Sequence, residues 1–415
     1  MVSDLLSNFM SKLRHLFRAT VPSATKAPVL SLADIFEREY YPYLRDGDLR
    51  GALAVLNTAE HRLGSEITPA VIYQRALVNV DLGDWDAVQR DLTSVYKVTH
   101  VKPMLRYYLA SLLACGGEIE RAQVLFSSGI DVLTGNGSVT DSSIVNFSWS
   151  EQHVNESRLD VVEKIAGPCS LVYMVAADNY YFERFAQPLL RCFLRTAQEG
   201  SVLHFHVVNP SRHCLGLLEH FSSRHECVGY STECVDFTDC SESQAKTYYA
   251  CSRYTALPCV LKHYGAAVVV ADIDQLILRP FASVLAPLDK NDVGLLIFES
   301  QKHNILSMVS ATLSVVKPTP GGMDFAHAMR NYVMNAAREK TNLKWHLDQA
   351  ALAVAYLRPS ETRFATLPTS LIHLTDAPPS AASNDAVFWS ITQSIESNSW
   401  KLDDEEFKRL ATEPT

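Results

Sequence analysis

Two carboxylates one residue apart, Asp272 and Asp274, close the apolar run Ala-Val-Val-Val-Ala (267–271), and this pairing is the part of the sequence best suited to chemistry. A run apolar at nearly every position reads as a strand covered on both faces. The acids come where the strand stops, and in open α/β sheets ligands gather beyond the carboxyl ends of strands. Asp-x-Asp there gives a hard cation two oxygen donors and leaves coordination positions for water and phosphate oxygens. The matching ligand is a metal diphosphate. The same acids also suit a strand ending in a solvated turn, so the surrounding elements have to decide.

From Cys169 onward the sequence alternates strands and helices, the pattern of an α/β sheet. Ser170 to Ala177 reads as a strand ending at Asp178-Asn179-Tyr180, with a helix following through Ala186 to Ala197. Val202 to Asn209 is a second strand. A helix from Tyr248 to Tyr264 leads into the acid-bearing strand, and Asp292 to Phe298 reads as another strand.

The ordered set is more specific than any member. D-N-Y after the first strand, H-F-H-V-V as the second, Y-x-x-x-x-R-Y-x-x-L-P before the apolar strand, then A-D-I-D-x-x-I-x-x-P and W-H-L-D-Q-A-A-L (345–352), resembles the GT-A glycosyltransferases, especially glycosyltransferase family 8. The resemblance spans about residues 169–395 and implies a Rossmann-like nucleotide-diphospho-sugar transferase domain that uses Mn²⁺ or Mg²⁺. It implies base binding by Asp178 and Tyr180, a bridge from Arg253 between Asp272 and the diphosphate, and metal ligation by Asp272 and Asp274. Asp348 and Gln349 would approach the donor sugar or the acceptor hydroxyl, with His346 and Trp345 shaping the sugar pocket. Lys246 and Tyr249 lie near Arg253. UDP is the nucleotide the resemblance implies, and the acceptor is a glycan, lipid or protein. Read without it, Asp178 is a helix N-cap and Asp348 an acid favoured at a helix N-terminus.

Two departures stand out. The family's third metal ligand, a His in an H-G-x-x-K-P-W phrase, has no counterpart, which leaves His373 as the nearest positional substitute. The family's N-S-G segment is replaced by SMVSATLSVVKP (307–318). The alternative function is a non-catalytic scaffold with a degenerate GT-A domain; a metal-dependent phosphoesterase or nucleotidyltransferase would use the same two acids.

Ahead of this domain three phrases recur, GDLRGALAVL from Gly47, GDWDAVQRDL from Gly83 and GEIERAQVLF from Gly117, at intervals of 36 and 34 residues. That is the tetratricopeptide period. Small or β-branched residues five positions on, Ala52, Val88 and Ala122, permit close helix approach, and Ala76 and Ala110 occupy the preceding helices. The pattern predicts an all-α tetratricopeptide-like array over 29–130, able to hold a protein partner, or else a helical cover for the next domain. The expected organisation is an amphipathic helix and linker (1–28), this array, a linker (131–168), the GT-A domain (169–395) and an acidic tail (396–415). A Pro- and Ser-rich loop before Val387-Phe388-Trp389 reads either as a lid over donor nucleotide or as plain linker.

The net charge of −9 and pI near 5.9 disfavour nucleic acid as a partner. Nine cysteines without a C-x-x-C pair read as reduced thiols, neither a disulfide framework nor a zinc site. With no bilayer-length apolar run, the expectation is a cytoplasmic protein, with at most a peripheral contact to the inner face of a membrane through the helix at 1–20.

Overall fold

Gly47 and Gly83 sit at φ 75° and 73°, in the left-handed region that glycine enters without steric cost, and each closes a helix in the same way. The structure, a computed structural model, describes residues 32–63, 68–91 except 85 and 89, positions 110, 113, 118 and 120–123, then 160–162, 169–298, 308–338, 343, 347–357, 360–374 and 386–390. The chain divides into two compact units, Met1–Asp91 and Leu92–Thr415.

In the first unit a helical stretch, Leu32–Ile35, Phe36–Tyr40 and Tyr41–Arg45, precedes α1 (Leu49–Leu63) and α2 (Thr68–Leu82). The Gly47 amide donates to the Leu44 carbonyl at 3.2 Å and the Asp48 amide to Tyr43 at 2.9 Å; Gly83 to Val80 at 3.0 Å and Asp84 to Asn79 at 2.9 Å repeat the arrangement. This pair of bonds is the Schellman motif, which satisfies the carbonyls a helix end leaves over. The acid that follows starts the next turn: Asp48 Oδ1 accepts from the Gly51 amide at 2.8 Å, and Asp84 Oδ1 from Ala87 at 3.0 Å. In the third phrase, which falls in the second unit, the Glu118 amide donates to Leu113 at 2.8 Å, the same outer bond. The five small or β-branched positions expected between helices, Ala52, Ala76, Val88, Ala110 and Ala122, are at most 2% exposed. The first unit has its own core around Phe36, Tyr40, Leu56 and Val78.

The second unit is built on strands β1 (Asp160–Val162), β2 (Leu171–Ala177), β3 (Ser201–Val208), β4 (Val228–Glu233), β5 (Ala267–Asp272), β6 (Gln275–Ile277), β7 (Val293–Ile297), β8 (Val309–Val316), β9 (Phe364–Leu367), β10 (Ile372–Leu374) and β11 (Phe388–Ser390). Its helices are α3 (Asn179–Thr196), α4 (Arg212–Arg224), α5 (Glu242–Tyr264), α6 (Pro320–Arg338) and α7 (Leu347–Leu357). Eight strands form one mixed sheet in the order β1-β4-β3-β2-β5-β8-β7-β9. β2, β3, β4 and β5 run parallel, β8 runs against both β5 and β7, and β9 is parallel to β7. A three-stranded sheet, β10-β11-β6, adjoins it through the turn that follows β5.

Helices cover both faces, which is why the central strands are apolar at nearly every position. Phe205 on β3 meets Phe182 of α3, while its sequence neighbours His204 and His206 point the other way, and His204 meets Tyr264 at the end of α5. The α5 side holds a buried polar chain. Tyr264 Oη lies 3.0 Å from His204 Nδ1, Ser231 Oγ lies 2.9 Å from both His204 Nε2 and His206 Nδ1, and His206 Nε2 lies 3.4 Å from Glu233. Glu233 accepts further bonds from Tyr248 and Thr255. Burial pushes His204 down to about 3, so it is neutral and shares its one ring proton along the chain.

α5 begins at Glu242, six residues before the sequence pattern predicts, because Ser241 and Gln244 close a capping box. It ends at Gly265, φ 60°, whose amide returns to Leu261, and two residues later the chain enters β5. No helix among the described residues is long and apolar enough to cross a membrane. The N-terminal segment 1–28, the Pro- and Ser-rich loop at 375–385 and the tail at 396–415 lie outside the described residues.

Candidate active site

From β2 the chain steps outward to β3 and β4, then returns to lay β5 on the other side of β2. The direction of winding reverses between β2 and β5, and in open α/β sheets the crevice beyond the carboxyl ends at such a point is where ligands bind. Asp178 follows β2 there, and Asp272 ends β5.

Arg253, 4% exposed on α5, holds two acids from different elements. One guanidinium nitrogen pairs with Asp272 and the other with Asp348 Oδ2 at 2.7 Å, at the start of α7. The Arg253–Asp272 contact is the protein half of the bridge expected from sequence; that Asp348, 95 residues away in sequence, shares the same guanidinium was not expected. Arg253 Nε is buried without a hydrogen-bond partner. Its two carboxylates hold the guanidinium above its ordinary range against the opposing effect of burial. Asp348 Oδ1 accepts from the Gln349 amide at 2.9 Å, and Gln349 is half-buried beside it.

Asp274 lies in the turn between β5 and β6 and makes no ion pair of its own among the described residues. Burial raises both Asp272 and Asp274; for Asp274 the neighbouring Asp272 charge adds to the rise, while for Asp272 the nearby Arg253 opposes it. Three carboxyl groups share the neighbourhood of one guanidinium, a surplus of acid in a partly desolvated crevice. Hard oxygen donors with that surplus fit a divalent cation.

The other expected residues distribute as follows. Asp178 caps α3, its Oδ1 accepting from the Tyr181 amide at 2.8 Å. Tyr180 is 59% exposed and its hydroxyl accepts from Arg184 at 2.9 Å. Its neighbour Tyr181 turns inward instead: burial, then the charges of Asp274 and Asp178, push its phenol up to about 12. Sequence reasoning passed over Tyr181, although the doubled tyrosine after D-N was the available signal. Lys246 pairs with Glu242 at 2.6 Å, and Asp178 bears electrostatically on both Lys246 and Tyr249. His373 sits in β10, in register with Trp389 of β11, which in turn faces Leu276 of β6. Among the described residues no three His, Cys, Asp or Glu side chains converge as a metal site, so His373 is not drawn together with the acid pair. His346 and Trp345 lie outside the described residues.

No protein-family model matches the sequence, and no curated protein matches it. Among solved structures it is similar to the apo form of the bifunctional glycosyltransferase WbbM, with 15% identity and a TM-score of 0.41 over 60% of this chain and 51% of that one, about half the length of WbbM. It is also similar to the galactosyltransferase LgtC in complex with donor and acceptor sugar analogues, with 14% identity and a TM-score of 0.37 over 58% of this chain and 95% of that one.

Proposed function

We propose that this chain is a metal-dependent glycosyltransferase of GT-A type that moves a sugar from a nucleotide-diphosphate sugar, UDP by the resemblance in its motifs, to an acceptor hydroxyl. The observation that carries the reading is the Asp272–Arg253–Asp348 clamp with Asp274 beside it, at the point where the sheet reverses its winding. In the transfer the bond from the anomeric carbon to the diphosphate oxygen breaks, a bond to the acceptor oxygen forms, and the acceptor hydroxyl gives up its proton.

Asp272 and Asp274 would hold Mn²⁺ or Mg²⁺, with the remaining coordination positions left to water and diphosphate oxygens. When bound, the cation supplies Lewis-acid neutralisation of the charge on the departing diphosphate. Arg253 pairs with Asp272 and opposes the effect of burial on it, and it ties the start of α7, where Asp348 and Gln349 lie, to the end of β5. There Asp348 orients the sugar or takes the acceptor proton. Asp178, Tyr180 and His346 complete the donor pocket in this reading.

Calorimetry with UDP and Mn²⁺ tests it. Metal-dependent heat is expected from the unaltered chain and none from Asp274→Ala; no heat from the unaltered chain would overturn the proposal. In that event the scaffold reading gains, a reading favoured by the lack of a converging third ligand among the described residues. Hydrolysis of a panel of nucleotide sugars then identifies the donor.

Residues 29–130 would form a tetratricopeptide-like array that presents a protein acceptor or docks the enzyme on an assembly. The recurring Schellman ends at Gly47 and Gly83 and the matching bond at Glu118 support it. Unchanged acceptor choice after deletion of residues 1–130 would count against this role.

A further inference from the structure

Glu233 ends β4 as a buried carboxylate that the proposed transfer does not use. His204 and His206 alternate onto one face of β3, and Ser231 and Glu233 onto the same face of β4, so a line of polar groups runs along the side of the sheet that α5 covers. This line engages α5 at three points. Tyr248 Oη donates to Glu233 Oε1 at 2.7 Å, Thr255 Oγ1 lies 3.3 Å from Glu233 Oε2, and the hydroxyl of Tyr264, the last residue of the helix, lies 3.0 Å from His204 Nδ1.

An ionised carboxylate only accepts hydrogen bonds, so Tyr248 and His206 Nε2 both donate to Glu233. With both rings neutral, the bare His206 Nδ1 takes the Ser231 proton, Ser231 Oγ takes the proton on His204 Nε2, and His204 Nδ1 takes that of Tyr264. Every proton then has an acceptor, and the line ends on the carboxylate. Burial would raise the Glu233 carboxyl, but its bonds from His206, Tyr248 and Thr255 outweigh burial and hold it below the ordinary range.

Tyr248 and Thr255 are seven residues apart on α5, close to two full turns, and so share one face of the helix. Arg253 comes between them, about 140° around the axis from Tyr248. From there its guanidinium reaches Asp272 at the end of β5 and Asp348 at the start of α7. We propose that Glu233 is a positioning residue of the candidate active site: by holding Tyr248 and Thr255 it sets the rotation of α5 that lets Arg253 reach Asp272 and Asp348 together. A buried charge with its donors adds little net stability over apolar packing, and its use here is to select one arrangement of helix on strand. The inference rests on the reading that the Arg253 clamp belongs to the transfer site.

The experiment compares Glu233→Gln and Tyr248→Phe in the full chain with Leu218→Ala, which truncates a fully buried core residue of α4. Three quantities are measured: the ¹⁵N signals of the Arg253 guanidinium, whose terminal nitrogens are inequivalent while each faces its own carboxylate, the binding of UDP with Mn²⁺ by calorimetry, and the unfolding temperature. Glu233→Gln and Tyr248→Phe are expected to shift or merge the Arg253 signals and to weaken metal-dependent UDP binding about tenfold or more, the scale on which partners behind metal ligands act. Leu218→Ala is expected to lower the unfolding temperature and leave both other readouts in place, which separates positioning from general loss of stability. Arg253 signals unchanged in Glu233→Gln and Tyr248→Phe overturn this inference alone, as does an equal change of those signals in Leu218→Ala. Absence of metal-dependent UDP binding by the unaltered chain overturns the transferase reading and the role of Glu233 in it, whatever the Arg253 signals show. If Glu233→Gln does not fold, Tyr248→Phe decides by the same criteria.

Discussion

Arg253 is the residue on which the crevice depends, since among the described residues it pairs with both Asp272 and Asp348. Removing one partner of a buried ion pair costs about 3–5 kcal/mol, because the other charge stays buried and uncompensated. Arg253→Met is therefore expected to lower stability by about that amount and to abolish transfer, read by denaturant unfolding alongside a donor hydrolysis assay. Arg253→Lys keeps the charge but not the fork that reaches two carboxylates, and should fall between. Asp292 makes a separate prediction. It is buried and accepts from the Arg363 amide at 2.9 Å, from the Arg363 side chain at 3.2 Å and from Thr319 at 2.8 Å. Burial alone would raise its carboxyl, but these donors outweigh burial and hold it below the ordinary range. A group depressed in the folded state stabilises above its unfolded pKa, about 4 for Asp, and loses that contribution as pH falls through the folded value. Melting temperatures from pH 2.5 to 6 should thus show Asp292→Asn less stable at the upper end and converging on the unaltered chain at the lower. A constant difference would rule out the linkage.

Among the elements, α5 does most to place the site, because it carries Arg253 and delivers the chain into β5. Its two ends are sharply specified, by the capping box at Ser241 and by Gly265 at φ 60°. Ser241→Ala should cost about 1 kcal/mol through loss of the cap. Gly265→Ala should cost about 1–2 kcal/mol, the penalty of a side chain in the left-handed region. Thermal unfolding of each variant checks both, and Gly265→Ala should also weaken nucleotide binding, since it strains the entry to β5. The same element shows what a sequence can disclose. β5 was legible because a strand covered on both faces has to be apolar throughout, and Arg253 only through the Y-x-x-x-x-R-Y phrase of the resemblance, since an arginine on an amphipathic helix is more often a surface residue. β4 was not, since Gly229, Ser231 and Glu233 resemble a turn. They are tolerated inside because Ser231 and Glu233 join the histidine chain and because Gly229 leaves space for the Tyr264 hydroxyl, which would lie 2.1 Å from an added Cβ. β8 lay in the segment set aside for lacking N-S-G, and its pairing with β5 is visible only in three dimensions. The Arg253–Asp348 contact was hidden for the same reason, as no local pattern links residues so far apart.

At the scale of the whole molecule, two units each with a core of its own imply two unfolding events. Leu56 is fully buried among Phe36, Tyr40 and Val78 in the first, and Leu203 among Phe205, Leu218 and Val269 in the second. Truncating a buried leucine to alanine costs about 2–5 kcal/mol, from lost transfer energy and the cavity left behind. Leu56→Ala should lower one calorimetric transition of the full chain and leave the other in place, while Leu203→Ala should do the reverse. Nucleotide with Mn²⁺ stabilises only the state that binds it, by an amount set by its concentration relative to Kd. It should therefore raise the transition that Leu203→Ala lowers and leave the Leu56-sensitive one alone. A single transition moved by all three changes would mean that the helical repeats and the α/β sheet unfold as one body.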